Sequence, residues 1–285
     1  MTGPPQNTLR VALLLDEEFV ERWQWNALAS LVAEPDIEVT HVVVNNEVRV
    51  LSPERTQTMF IRDAFDQIRQ YPLWSLVGIA RTLQPTPRHT EPVHIESLDG
   101  VSSATKIYCH PTKKDTYWNV LPDGVVDEVG TTDVAIRFGF GMLKGDVLDA
   151  PTYGVLSYHL GDIRTYRGQV GGFWEFLNDE DEMGITLQRL TETLDGGEIV
   201  ELKTIDISGL ETWQEIRQQA CYTAERMLLP GVRTVTKQRE AIAAPDELGT
   251  LYKIPTGRNV VRYLRKNTRG RLRRFVASRE PSPTY

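Results

Sequence analysis

The amino-acid sequence predicts an α/β fold with a mainly parallel sheet, an inserted segment and a C-terminal helical extension. The apolar run Leu9–Leu15 has polar flanks, which is typical of a buried parallel strand. A helical pattern follows it, and then a second strand pattern at Glu38–Val44. Strand, helix and strand in this order form a right-handed crossover unit. Strand patterns return at Asp133–Phe138 and Gly154–His159, so the predicted sheet continues and the fold is Rossmann-like.

The segment between about 48 and 120 interrupts this pattern, because it shows no clean alternation of apolar and polar residues. Two helices are predicted in it, Arg55–Gln70 and Leu73–Leu83, before a stretch punctuated by prolines. We interpret the segment as an insertion within an α/β domain of residues 8–240. Residues 241–285 form a basic C-terminal extension.

The remaining elements follow from local periodicity and from turn residues. The first helix carries its apolar face on Phe19, Trp23, Ala27 and Leu31 and ends at Pro35. After residue 120 the predicted elements are a helix at Pro122–Val129, a helical turn at Lys144–Leu148, a helix at Gly171–Leu177, a less buried strand at Gly184–Leu190, a strand at Ile199–Ile207, and a long helix at Thr212–Lys237 interrupted near Pro230 and Gly231.

Composition and charge restrict the possible classes of protein. Hydrophobic residues make up 40% of the chain and charged residues 25%, as in ordinary globular proteins. The N-terminus shows no apolar signal segment, and the apolar stretch Leu73–Ala80 is too short to span a bilayer, so a cytoplasmic location is expected. The net charge is −7, but residues 253–285 carry ten Lys and Arg and one acid, which leaves −16 for the rest. An acidic body argues against general nucleic-acid binding.

The basic C-terminal extension has the pattern of an amphipathic helix. Apolar residues and one threonine recur at roughly helical spacing among many arginines, at Val261, Leu264, Thr268, Leu272 and Phe275. One interpretation is a helix docked on the acidic body. The other is a weak contact with an anionic surface, either a membrane or the phosphates of an acceptor.

Three features of the chain contain residue types that are common in binding or catalytic sites. The glycines at Gly139, Gly141 and Gly145 do not have the spacing of a dinucleotide-binding loop, and they favour a sharp turn close to a ligand instead. The acidic run Asp179–Glu182 lacks supporting His or Cys, so it indicates a solvated loop, and no metal site is predicted. His159 lies at the end of a strand, where α/β sheets bind ligands.

The segment Gly154–Gly168 resembles the signature of the 10-formyltetrahydrofolate-dependent formyltransferases. That signature is Asn-x-His-Pro-Ser followed by a short loop that ends in Tyr-Arg-Gly. Downstream, Gly184-Ile-Thr-Leu and Leu194-Asp-Gly-Gly-Glu-Ile-Val resemble further family elements, and His159 and Asp195 are separated by the family's 36 positions. Ser157 replaces the family's Asn, and Leu160-Gly161 replaces its Pro-Ser.

The resemblance implies transfer of a formyl group from 10-formyltetrahydrofolate, the cosubstrate, to a primary amine of a small molecule, with an amino sugar as one candidate. It assigns oxyanion stabilisation to His159, proton relay to Asp195 and a supporting role to Ser157. It implies that folate binds at Phe138, Gly139, Phe140, Gly141, Met142, Leu143, Leu190 and Gly196.

Other functions remain open at this point. Methionyl-tRNA is disfavoured as the acceptor, because the C-terminal region is too short for the family's tRNA-binding barrel. The alternatives are a formyltetrahydrofolate hydrolase, which the loss of the Asn allows, and a folate-binding protein without turnover.

Overall fold

The computed structural model describes residues 8–46, 68–82, 84–114 and 117–277. Within these residues the chain forms fourteen strands, and seven of them make up one large sheet. They are β1 Leu9–Leu15, β2 Phe19–Glu21, β3 Ile37–Asn45, β4 Pro92–His94, β5 Thr105–Cys109, β6 Thr112–Lys114, β7 Trp118–Val120, β8 Val134–Arg137, β9 Met142–Leu143, β10 Val155–His159, β11 Tyr166–Gly168, β12 Glu182–Arg189, β13 Glu198–Asp206 and β14 Thr250–Tyr252.

Seven α-helices pack on or beside the sheet in the described part of the chain. They are α1 Arg22–Val32, α2 Pro72–Thr82, α3 Asp123–Gly130, α4 Phe173–Leu177, α5 Trp213–Ala224, α6 Leu228–Lys237 and α7 Gly257–Ala277. Two of them, α1 and α5, begin at a capping box. In α5, the Thr212 side chain accepts from Glu215 N and the Glu215 carboxylate accepts from Thr212 N.

The central sheet has seven strands in the order β13-β12-β10-β8-β1-β3-β5. The five strands from β10 to β5 are parallel, and β12 pairs antiparallel with both β10 and β13. A mainly parallel sheet was predicted, and the fold class is confirmed. Because parallel strands share one direction, the carboxyl ends of β1, β8 and β10 meet at one edge of the sheet.

Side-chain alternation along β1 divides the core into two layers. Val11, Leu13 and Leu15 belong to the hydrophobic cluster that includes α1, α5 and α6, whereas Ala12 and Leu14 belong to the cluster that includes α3. All five are at most 1% exposed. The continuous apolar run therefore reflects helices on both faces of the strand.

Several predicted elements need correction. The long helix is interrupted at residues 225–227 rather than at Pro230, which lies in the first turn of α6, where its missing N–H costs nothing. Strand β12 is mostly buried rather than exposed, because it is an inner strand of the sheet. Phe19 belongs to β2 and not to α1.

The segment 48–120 is only partly described, and most of the predicted helix Arg55–Gln70 lies outside the described residues. Helix α2 matches the predicted helix Leu73–Leu83 closely. The end of the segment supplies the edge strand β5, which pairs with β3. The sequence pattern missed this strand because it is short and only half buried. The division into 8–240 and 241–285 stays a prediction.

The predicted apolar stripe of the C-terminal helix does not face the body. Helix α7 is buried through Val260, Tyr263, Asn267 and Gly270 instead. The stripe residues Val261, Leu264, Leu272 and Phe275 are between 41% and 61% exposed. The helix docks through a mixed face because Asn267 Oδ1 accepts from Trp213 N, and because glycine at 270 allows close contact with Glu211.

Candidate active site

The candidate site lies at the carboxyl ends of β1, β8 and β10. On β10, Val155 belongs to the α3-side cluster, so Ser157 and His159 face the same side as Val155. On β8, Ala135 belongs to that cluster as well, which places Arg137 on this face. The three polar side chains therefore converge at one sheet edge, where open α/β sheets bind ligands.

Both ring nitrogens of His159 lie next to polar groups. Its Nε2 lies 2.8 Å from the carbonyl oxygen of Tyr166. Since a carbonyl oxygen only accepts, Nε2 carries the hydrogen of this bond. Nδ1 faces Asp195 Oδ1 at 3.6 Å, so the structure brings together the two residues that the sequence singled out. The imidazole is about 10% exposed and the Asp195 side chain about 20%.

Asp195 sits in a constrained loop. Its φ of 41° lies in the left-handed region, which a non-glycine residue adopts only when its surroundings hold it there. Gly168 N donates to Asp195 Oδ2 at 2.8 Å, and Arg167 Nε donates to the Asp195 carbonyl at 3.0 Å. Arg167 also donates to Leu194 O. The carboxylate is thus fixed between the Gly168 backbone and the imidazole.

The loop that follows His159 is clamped by aromatic stacking. Strand β11 pairs with β14, and Tyr252 of β14 stacks on both Tyr166 and Trp174, with ring centroids 5.2 and 4.8 Å apart. Position 161 requires a glycine, because a Cβ at this position would lie only 2.7 Å from His159 Nε2. The Tyr166 carbonyl and the imidazole are therefore positioned by backbone as well as by side chains.

Arg137 is a candidate functional residue that the sequence reasoning missed. Its Nη1 donates to Ser157 Oγ at 2.8 Å and its Nε to Gly139 O at 2.8 Å, while Nη2 donates to Gly141 O. Burial lowers the pKa of Arg137, and the nearby carboxylates of Asp16 and Asp195 oppose that shift. The guanidinium stays charged, because an arginine side chain is not deprotonated in proteins. It has five N–H groups, so two are not used by these bonds.

The signal that would have found Arg137 is its position. It is the one charged residue of the strand Val134–Arg137, and it stands at the carboxyl end. Asp16, which directly follows β1, gives the same signal, and its Oδ1 accepts from Phe140 N at 2.6 Å. Asp16 thereby anchors the loop that follows β8.

The loop Phe138–Leu143 was predicted to line the folate pocket, and its side chains only partly permit this. Phe140 and Leu143 are buried in the α3-side cluster, so their side chains pack in the core in this structure. Phe140 has a φ of 64°, and its carbonyl accepts from Asn119 Nδ2 at 2.7 Å. Met142 remains partly exposed, in β9. The role of the loop backbone stays a prediction.

Two further predicted folate residues lie at neighbouring places. Leu190 is partly buried against the α3-side cluster, and Gly196 packs against Thr193 and Leu248 in the Asp195 loop. Asn119, which the sequence reasoning did not select, carries a buried Oδ1 without a hydrogen-bond partner in the described part of the chain. An unpaired buried acceptor beside this loop suits a ligand with N–H groups, as a pterin has.

Among the acidic residues near His159, Glu175 has the most strongly shifted pKa. Both residues line one small cavity, together with Tyr166, Gln169 and Trp174. Glu175 is 3% exposed, and its Oε1 has no partner among the described residues. Burial raises the pKa of this carboxyl to about 7, and the charges of Glu180 and Asp162 add to the effect.

The chain shares sequence with known proteins over part of its length. No protein-family model matches the sequence. The chain is 31% identical over 81 residues to a methionyl-tRNA formyltransferase of Agathobacter rectalis, which is 28% of this chain and 26% of that protein. It is 28% identical over 98 residues to the bifunctional polymyxin resistance protein ArnA of Wigglesworthia glossinidia brevipalpis, 34% of this chain and 15% of that protein. The matched segments thus span only about a quarter or less of these curated relatives.

Solved structures are similar over most of the chain. Glycinamide ribonucleotide transformylase 1 of Symbiobacterium toebii matches with a TM-score of 0.52 and 12% identity, over 87% of this chain and 96% of that one. An N-formyltransferase of Helicobacter canadensis, in complex with folinic acid and dTDP-3-aminofucose, matches with a TM-score of 0.51 and 11% identity, over 91% and 80%. A formyltetrahydrofolate deformylase of Pseudomonas syringae pv. tomato matches with a TM-score of 0.53 and 13% identity, over 87% and 67%.

The signature segments, the geometry at the sheet edge and these similarities agree with one another. The chain has the fold of the formyltransferases and shares sequence with them over part of its length, so it is related to that family.

Proposed function

We propose that this chain transfers the formyl group of 10-formyltetrahydrofolate to a primary amine of a small molecule. The observation that carries the proposal is the polar cluster at the carboxyl ends of β8 and β10. There a guanidinium, an imidazole and a carboxylate meet at one sheet edge, each held by backbone contacts. Acyl transfer to an amine needs one group to stabilise an oxyanion and another to move a proton.

Proton transfer is assigned to His159 and Asp195. Because Nε2–H is bonded to the Tyr166 carbonyl, the proton that the imidazole can gain or lose is the one on Nδ1. Nδ1 faces Asp195 Oδ1 at 3.6 Å, a distance that closes to a hydrogen bond with a small movement. Asp195 therefore supports the proton-bearing imidazole and passes the proton that the amine loses to the leaving nitrogen.

Oxyanion stabilisation is assigned to Arg137, with Ser157 as its positioning residue. The bonds to Ser157 Oγ and to the carbonyls of Gly139 and Gly141 fix the plane of the guanidinium. Its two unused N–H groups supply fixed donors and a positive charge, and removal of one such donor typically lowers turnover about 10²–10³-fold. In this assignment His159 does not stabilise the oxyanion, since its Nε2–H is already bonded to the Tyr166 carbonyl.

Folate binding is assigned to the backbone of residues 138–143 and to Asn119. The free acceptor of Asn119, and the exposed part of Met142, suit the polar edge and the flat face of a pterin. The bound cosubstrate supplies the activated formyl group. Leu190 and Gly196 remain proposed members of this region, at the turn that carries Asp195.

The amine acceptor is assigned to a cavity on the α1 side of the same edge. The cavity has a volume of about 370 Å³ and is bordered by Phe138 and Leu160, the neighbours of Arg137 and His159. Three acidic residues, Asp16, Glu17 and Glu21, are among its lining residues, against one basic residue, Arg217. An excess of acidic over basic residues in the lining favours an amino compound over a phosphorylated acceptor.

Product analysis tests the proposal. The purified chain is incubated with 10-formyltetrahydrofolate and a panel of primary amines, including amino sugars, and the products are followed by mass spectrometry. We expect an N-formylated amine and tetrahydrofolate in equal amounts. Folate binding without any loss of the formyl group would contradict the proposal.

A second candidate function is hydrolysis of formyltetrahydrofolate, with water replacing the amine. The similarity in fold to a formyltetrahydrofolate deformylase supports it. In the same assay a hydrolase releases formate at a rate that does not depend on the amine, whereas a transferase releases little formate and responds to the amine concentration.

A further inference from the structure

Helix α7 is fixed to the body by one face only. Tyr263 is buried against Phe173 and Trp213, with ring centroids 5.1 and 5.8 Å away. Asn267 Oδ1 accepts from Trp213 N at 3.1 Å. Three residues further along, Gly270 packs against the Glu211 backbone so closely that a Cβ would collide with it. The opposite face of the helix consequently points away from the core.

The eight cations of α7 divide into two groups. Five of them bond to the body: Arg262 and Lys266 to Asp179, Arg271 to Gln84, Arg273 to Glu211, and Arg274 to Glu215. The other three, Arg258, Arg265 and Arg269, make no hydrogen bond or ion pair within the described ranges of the chain, and all three are exposed. These three follow one another at spacings of seven and four, which places them on one side of the helix.

An exposed apolar stripe runs beside these arginines. Val261, Leu264 and Leu272 are 49%, 41% and 61% exposed. The neighbouring helix α2 adds Leu73 and Leu76, which are 39% and 58% exposed. The two helices are adjacent, as the Trp74 and Tyr263 rings lie 6.1 Å apart. Among the described residues, no helix has the length and apolarity that crossing a membrane requires.

We propose that this outer surface of α7, defined by Val261, Leu264 and Leu272 with Arg258, Arg265 and Arg269, binds peripherally to a bilayer that contains anionic phospholipid. Apolar side chains in a stripe flanked by arginines match the two layers that such a surface offers, acyl chains below and phosphates above. The proposal is independent of the formyl-transfer proposal, because it uses none of the residues at the sheet edge.

Other partners fit this surface less well. A nucleic acid or a phosphorylated small molecule would use the arginines but leave the apolar stripe in water. A second copy of the chain would bury the stripe, but a two-fold contact would bring the arginines of both copies together without an acid on either helix. A bilayer satisfies the apolar and the cationic residues at once.

Vesicle sedimentation tests the proposal with the full chain. Wild-type protein is mixed with vesicles of phosphatidylcholine alone, or of phosphatidylcholine with phosphatidylglycerol. Each basic residue near such a surface contributes about 1 kcal/mol, so the triple variant R258Q/R265Q/R269Q should bind the anionic vesicles about 100-fold more weakly. Binding should also weaken at high salt.

A matched control removes three exposed cations elsewhere, R226Q/K237Q/R239Q, near α6, whose main contacts are with α1 and β13. The control should bind like wild type, and L264D/L272D should bind several-fold more weakly although both sites are already exposed.

The proposal is overturned if wild type binds neither vesicle or both equally. It is also overturned if the control loses as much as the triple variant, if L264D/L272D binds unchanged, or if the stripe is buried in a stable dimer that ignores vesicles.

Discussion

The sheet-edge site and the outer surface of α7 are both rich in charge, but their charges are held in opposite ways. Arg137 makes three hydrogen bonds, and Asp195 is fixed by Gly168 and faces His159. On α7, Arg258, Arg265 and Arg269 have no such partners in the described part of the chain. Fixed charges suit chemistry at one point in space, whereas free arginines suit a surface without defined geometry. A single substitution should therefore matter greatly at the first place and little at the second.

The largest effect is expected at Asp195. Asp195→Asn keeps the shape but removes the negative charge beside His159 Nδ1, so turnover should fall about 10²–10⁴-fold. The matched control is Asp133→Asn at the opposite edge of the sheet, where the carboxylate accepts from Arg10 N. Steady-state kinetics checks both variants. Equal losses of turnover would show that Asp195 has no specific role in the reaction.

Gly161 provides a geometric test of the same site. Gly161→Ala puts a methyl group 2.7 Å from His159 Nε2, so the imidazole must shift and turnover should fall about 100-fold. Gly209→Ala is the control, because a Cβ at position 209 would have no heavy atom within 4 Å and the backbone φ there is not in the left-handed region. If both variants turn over like wild type, the position of His159 does not limit the reaction.

Glu175 should make stability depend on pH. Its pKa is raised from 4.5 to about 7, so between these values the unfolded state loses a proton that the folded state keeps. The free energy of unfolding should then fall as pH rises from about 4.5 to about 7, and stay level above. Glu175→Gln should abolish this slope and be more stable than wild type at pH 8, by up to about 3 kcal/mol.

Urea denaturation across this pH range measures the effect. Glu182→Gln, at the exposed start of β12, is the control and should keep the wild-type slope. A Glu175→Gln protein that follows the wild-type curve would mean that Glu175 is already ionised in the folded state near pH 5.

The smallest effect is expected on α7. Arg265→Gln removes an exposed cation without a partner among the described residues, so the free energy of unfolding should change by about 0.5 kcal/mol or less. Chemical denaturation checks this value. A loss above about 2 kcal/mol would show that the outer surface of α7 is part of the folded core, and the comparison between the two regions would fail.

The sequence predicted the parts of the fold that depend on local pattern. The apolar run Leu9–Leu15 is β1 to the residue, and the strand that carries His159 was recognised with one extra residue. The proximity of His159 and Asp195 was predicted from a family resemblance and not from periodicity, since 36 positions separate the two residues. The edge strand β5 was missed because it pairs with a distant segment and has no strong pattern of its own.

Other features depend on tertiary contacts that a sequence pattern does not contain. Arg137 was overlooked because a single arginine in a strand has no periodic signal, and only its bonds to Ser157 and the glycine carbonyls make it notable. The face through which α7 docks on the body was not visible in the sequence, because the spacing of apolar residues does not reveal a mixed face. The helix docks through an asparagine and a glycine that meet Trp213 and Glu211.

The central claim is that Arg137 acts in formyl transfer at the sheet edge, and one measurement tests it most directly. The turnover of Arg137→Lys per folded molecule is compared with that of Arg189→Lys, another arginine of the same sheet, which pairs with Asp149 and Glu198 near the opposite edge. Lysine keeps the charge but lacks the planar, forked geometry with which the guanidinium makes its three bonds. We expect Arg137→Lys to lose about 100-fold or more in kcat, and Arg189→Lys to lose stability while keeping its kcat. Equal kcat values for the two variants would contradict the account.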